Sequence, residues 1–115
     1  MTAVAMRAYG AARAAMDPRL QEADVFRRVT GSLRAALAGA EQDMRRVRAI
    51  ADNRRLWLAV ESALGHPANA MPDRLRADII SLGRAVRREM DQATPDFDFL
   101  IDVNEQVAAG LGGAG

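Results

Sequence analysis

The chain has 115 residues, a formal net charge of +1, one His and no Cys. That length suits one modest domain, the absence of Cys excludes a disulfide framework and thiol chemistry, and the near-neutral balance excludes a general attraction to nucleic acid. Half of the residues are apolar and all sixteen basic residues are Arg, but much of the apolar share is Ala, so a thin core is expected.

Val4 to Met16 reads as a short, frayed and mobile Ala-rich helix, with Gly10 weakening its middle and Tyr9 as the one large side chain able to dock it. Its apolar run is broken at Arg7 and Arg13, against a secretory leader. No run approaches roughly 18 apolar residues, so no membrane insertion is expected. Asp17 and Pro18 read as the N-cap and first residue of the next helix, and Glu22 and Asp24 place negative charge at its positive end. Val25, Phe26, Val29, Leu33, Leu37, Ala40, Met44 and Val47 then recur at three- and four-residue spacing. The stripe crosses Gly31 and Gly39 without losing phase, which predicts one long central helix with a soft point at Gly39. Near residue 51 the buried face turns by roughly a third to half a turn, taking about 100° per residue. Trp57, Val60 and Leu64 now carry it, with Asn53 above and Leu56 at the edge. The helix is expected to continue, or to kink, as far as Leu64.

Gly65 and Pro67 end that helix, and Pro72 is expected at the first position of the next. Leu75, Ile79, Leu82, Val86 and Met90 form its apolar stripe, with Gly83 at the edge where a neighbouring backbone can approach. An acidic connector follows. Leu100, Val103, Asn104, Val107 and Leu111 share a face of the last helix, which Gly110, Gly112 and Gly113 close. Residues 112–115 are expected to be disordered. The expectation is an all-α fold of four to five helices, a single domain over 1–115, with no strand.

Catalytic chemistry has little to work with. The one His, His66, lies in a turn before Pro67, and no Glu/His helical pair, His/Cys ligand set or phosphate loop occurs. An enzyme, a metal site and a cofactor are therefore not expected. Arg45, Arg48 and Arg55 share a face that can span phosphates, but Glu41 and Asp52 stand four residues from Arg45 and Arg48. The face reads as salt-bridged and solvated, without direct tight nucleic-acid binding. Trp57 reads as a core plug whose indole N–H meets Asn53 or Asp52. Asn53, Trp57, Asn69 and Asn104 are expected to form one cluster tying the central helix, the turn and the last helix together. The phase rotation makes the C-terminal half the expected core. Phe26, Val29, Leu33, Leu37, Met44 and Val47 are then partly open, or covered by the first segment through Tyr9, and form the expected protein-binding stripe.

Four blocks occur in order: "NRRLW" at Asn53–Trp57, "HPANAMP" at His66–Pro72, "LRADIISLG" at Leu75–Gly83 and "LIDVNEQVAAGL" at Leu100–Leu111. Together they resemble the FlaF family of flagellar biosynthesis regulators, over essentially the whole chain. The residues carrying the resemblance are Asn53, Arg54, Leu56, Trp57, Pro67, Asn69, Pro72, Leu100, Ile101, Asp102, Asn104, Gly110 and Leu111. Glu105 stands where the family usually has Arg, and the "PDFDF" connector is short and acidic. The resemblance implies a cytoplasmic, non-catalytic regulator that binds flagellin as a secretion-chaperone-like adaptor and acts beside the translation regulator FlbT. Two alternatives stay open: an RNA-associated regulator of the flagellin messenger, and a purely structural homodimer.

Overall fold

The computed structural model describes residues 23–40, 44–69 and 71–111. Four helices make up almost all of these: α1 (Ala23–Ala38), α2 (Met44–Gly65), α3 (Asp73–Met90) and α4 (Phe97–Leu111). Among the described residues there is no strand, and the fold is all-α. The expectations for residues 1–16, for the Asp17–Pro18 helix start and for the tail at 112–115 lie outside the described residues.

The long helix expected across Gly39 is two helices. α1 ends at Ala38, where the Gly39 N–H donates to the Ala36 carbonyl at 3.2 Å, a tightened last turn. The Arg46 guanidinium reaches back from α2 and donates to the carbonyls of Leu37 (3.2 Å) and Gly39 (3.5 Å). An Arg on the last carbonyls of a helix satisfies orphan acceptors and suits the negative end of the dipole. The break is thus held by a side chain of the next helix.

α2 runs unbroken through Asp52 and Asn53 and buries Ala49, Asn53, Leu56, Trp57, Val60, Ala63 and Leu64 along one face. The apparent rotation near residue 51 is a consequence of the earlier break, which starts α2 in a new phase. At its far end, His66 and Asn69 build the turn. The Asn69 side-chain amide donates to the Ala63 carbonyl at 2.9 Å and its oxygen accepts from the Met71 N–H at 2.9 Å. The His66 Nδ1 accepts from the Ala68 N–H at 3.0 Å, so the only His caps a turn.

Pro72 is the N-cap residue of α3 rather than its first helical residue; its φ of −55° and ψ of 141° are extended. Asp73 in the first turn and Arg87 and Arg88 in the last turn complement the dipole. Asp96 caps α4 by accepting from the Phe99 N–H at 3.1 Å, while its own N–H donates to Glu89 at 3.0 Å.

α1 packs chiefly on α4 and next on α2, and α3 closes against α2 and α4. α1 and α4 run antiparallel: Arg46 joins the end of α1 to the Phe97 ring at the start of α4, and Arg34 of α1 pairs with Glu105 farther along α4. One core draws on all four helices. It includes Phe26, Leu33 and Ala36, all with no exposure, and Thr30, whose hydroxyl donates to the Phe26 carbonyl. The expectation that the core lies in the C-terminal half, with α1 lying open, is therefore corrected. α4 buries Leu100, Ile101, Val103, Asn104, Val107 and Ala108, an arc wide enough to need cover on two sides, and α1 supplies one of them.

Candidate functional site

Trp57 holds the middle of the molecule. Its ring meets Phe26 of α1 edge to face, with centroids 6.2 Å apart and planes at 89°. On α3, a Cβ added at Gly83 would stand 3.3 Å from the indole Cε3. Gly83 thus admits a side chain of a neighbouring helix, not its backbone. The indole N–H donates to Asn104 Oδ1 of α4 at 2.9 Å, the Asn104 amide donates to Asn53 Oδ1 at 2.7 Å, and the Asn53 amide donates to the Met90 sulfur at 3.4 Å. This directed chain crosses α2, α4 and α3 entirely in the buried interior. Each member spends its polar groups on the next, which offsets the cost of burying them. No titratable group takes part, so the chain orders helices rather than moves protons.

The indole partner is therefore Asn104, 47 residues away, and neither Asn53 nor Asp52. Asn69 is also separate from this chain: its bonds stay within the α2–α3 turn, where Arg76 adds a bond to its carbonyl at 2.9 Å. Local hydrogen bonding at the turn satisfies Asn69 before it can reach the core.

The residues of the family motif divide by role. Asn53, Leu56, Trp57, Asn69, Leu100, Ile101 and Asn104 are buried. Arg54 is half-buried and pairs with Asp91 at 3.0 Å. Pro67, Pro72 and Asp102 are exposed and Gly110 is intermediate. Leu111 belongs to α4, and its side chain lies outside the described residues.

The expected binding stripe is split by the break at Gly39. Phe26 and Leu33 are fully buried and Val29 is half-buried, because α4 and α2 cover them. Leu37, Met44 and Val47 are exposed by 36%, 60% and 60%. These three flank the α1–α2 junction. Val47 also borders a concavity of ≈ 360 Å³ with Ile50, Pro95 and Phe97. Arg46 forms part of its wall, with its guanidinium 5.4 Å from the Phe97 ring centroid. Arg46, Ile50, Asp96 and Phe97 were missed in sequence. Asp96 had a signal, an Asp directly before an apolar helical run. Arg46 had none, being one Arg among neighbours of the same kind.

The basic face also differs in detail. Asp52 pairs with Arg55 at 3.3 Å and not with Arg48, which has no ion pair among the described residues. The expected Glu41–Arg45 pair lies partly outside the described residues. Among the described residues, no group of His, Asp and Glu could hold a metal ion, and no helix is long and apolar enough to cross a membrane.

The α1–α2 junction thus exposes an apolar cluster, and the asparagine chain draws on the first and last of the four sequence blocks. The model of the family described as flagellar protein FlaF matches residues 5–111. The chain belongs to the FlaF family. No curated protein and no solved structure matches it. FlaF membership places the chain among flagellar proteins, and the non-enzymatic reading rests on that membership. The match spans all four helices and both ends of the asparagine chain.

Proposed function

We propose that this FlaF-family protein is a cytoplasmic regulator of flagellar biogenesis that binds flagellin as a secretion-chaperone-like adaptor and acts beside FlbT. The observation that carries the reading is the apolar cluster at the α1–α2 junction, Leu37, Met44 and Val47, beside the concavity at Ile50 and Phe97. Exposed large apolar side chains that adjoin a concavity suit a protein client more than a small polar ligand. A helical end of flagellin would lay its apolar face there, in helix-in-groove fashion. Phe26, Val29 and Leu33 are then the inward part of the same stripe: they anchor α1, and Leu37 at its end presents the surface.

The test is binding of purified flagellin by the wild-type chain and by a Leu37→Asp, Val47→Asp double variant. At least a tenfold loss of affinity, with unchanged helicity and thermal midpoint, is expected. Unchanged flagellin affinity would move the client site elsewhere. Loss of FlbT binding with flagellin binding intact would assign the surface to FlbT. A tight, salt-sensitive shift of the flagellin leader RNA by the protein alone would instead favour the RNA-associated alternative.

A further inference from the structure

The outward side of α2 carries an apolar line that continues past the α1–α2 junction. Leu58 is 50% exposed and joins Leu37, Met44 and Val47 as a large apolar side chain left in water. Met44, Val47, Ala51 and Leu58 follow one another at three, four and seven residues. They therefore fall within about 60° of the helix surface and form a ridge about 21 Å long. Its centre lies about 170° from the buried face of Ala49, Asn53, Leu56, Trp57 and Val60. Recurrence of this kind is that of a seam between two helices, yet Met44, Val47 and Leu58 are exposed.

We propose that this ridge is the seat of an amphipathic helix of a protein client, with carboxylates along the edge that meets Arg48 and Arg55. The ridge begins at the α1–α2 junction, so its assignment rests on the flagellin reading and lengthens that surface along α2. Charge commits the occupant. On one flank of α2 the charged groups are used within the molecule: Arg54 pairs with Asp91, just past the end of α3, at 3.0 Å, and Glu61 pairs with Arg87 of α3. On the other flank Arg48 and Arg55 are exposed. Arg48 has no ion pair among the described residues, and Arg55 pairs with Asp52 of its own helix at 3.3 Å.

An acidic edge on the incoming helix answers these two cations while its apolar face lies on Met44, Val47 and Leu58. Ala51, in the middle of the ridge, lets the two helix axes approach. A second copy of the chain fits less well. Antiparallel pairing about Ala51 matches Met44 with Leu58, but it sets Arg48 of each copy against Arg55 of the other, and facing like charges disfavour association. Nucleic acid fits less well too, because the two guanidiniums flank an apolar line that offers phosphates nothing.

The experiment titrates the isotope-enriched full chain with two synthetic helical peptides of roughly 18 residues. They share one leucine stripe and differ only in carrying Glu or Lys beside it. The Glu peptide is expected to bind at least tenfold tighter, to shift amide signals along residues 44–58, and to lose that advantage as salt is raised. Leu58→Asp should weaken it at least tenfold, and an Arg48→Glu, Arg55→Glu double variant should reverse the preference between the peptides. Flagellin affinity should fall in both variants, each at an unchanged thermal midpoint. Glu-peptide binding along α2 without flagellin binding would keep the seat and remove flagellin as its client. Flagellin affinity that falls in the Leu37→Asp, Val47→Asp variant but survives Leu58→Asp and the double Arg variant would confine the surface to the junction and overturn the inference, with the flagellin reading intact. Equal affinity for the two peptides, or no shifts at 44–58, would overturn it as well. So would a dimer of the wild-type chain that Leu58→Asp dissociates, or RNA binding that needs Arg48 and Arg55 and not Leu58.

Discussion

Two stretches of one apolar repeat have opposite fates in this molecule. Phe26 and Leu33 are sealed between α4 and α2, whereas Met44 and Val47 are each 60% exposed. Nothing in their side-chain chemistry separates the two groups. The difference is the break after Ala38. Once α2 starts afresh, its buried face is set by Ala49, Asn53 and Trp57. Val47, two residues before Ala49, then lies about 160° from it around the helix, on the outer side. A break of a few residues thus converts the end of a core stripe into an exposed apolar surface.

The sharpest way to break this comparison is to place the same charge in both stretches. Leu33→Asp buries an unpaired carboxylate and removes a packed Leu, so a loss of at least about 4 kcal/mol is expected in chemical denaturation, enough to unfold most small domains. A folded Leu33→Asp protein would mean that α1 detaches without loss of the core. Asn104→Leu is next in size. It strands the Trp57 N–H and the Asn53 carbonyl oxygen, each at about 1–3 kcal/mol, with a change in the emission of the only Trp. Unchanged emission and stability would deny the asparagine chain its ordering role. Arg46→Met keeps the side-chain bulk over Phe97 but uncaps the end of α1. A loss of about 1 kcal/mol is expected, with faster amide exchange confined to the last turn of α1. Smallest of all, Val47→Asp should change stability by less than about 0.5 kcal/mol while weakening client binding. A large loss of stability there would show that the exposed stretch is structural after all.

Much of the fold was legible in the sequence because helices leave local signatures. The stripe of α3, the turn at Gly65–Pro72 and the buried face of α4 follow from three- and four-residue spacing and from Pro and Gly placement. The burial of Trp57, Asn53 and Asn104 was legible too, since polar residues on an apolar face must find partners. Of the stripe expected to bind a partner, Leu37, Met44 and Val47 are exposed, whereas Phe26 and Leu33 are buried. Periodicity reports which residues share a face. It carries no information on what lies opposite that face.

What the sequence determined by itself was therefore the all-α class, the apolar faces of the helices and the family to which the chain belongs. Only the tertiary structure decided which faces are covered and where the long repeat is interrupted. The physical reason is range. Helix formation is driven by contacts three and four residues apart, but the break at Gly39 is held by Arg46 of the next helix, and Asn53 and Trp57 of α2 find their partner in Asn104, 51 and 47 residues on. Such bonds form only after the helices have packed, and the repeat along the chain is the same whether they form or not.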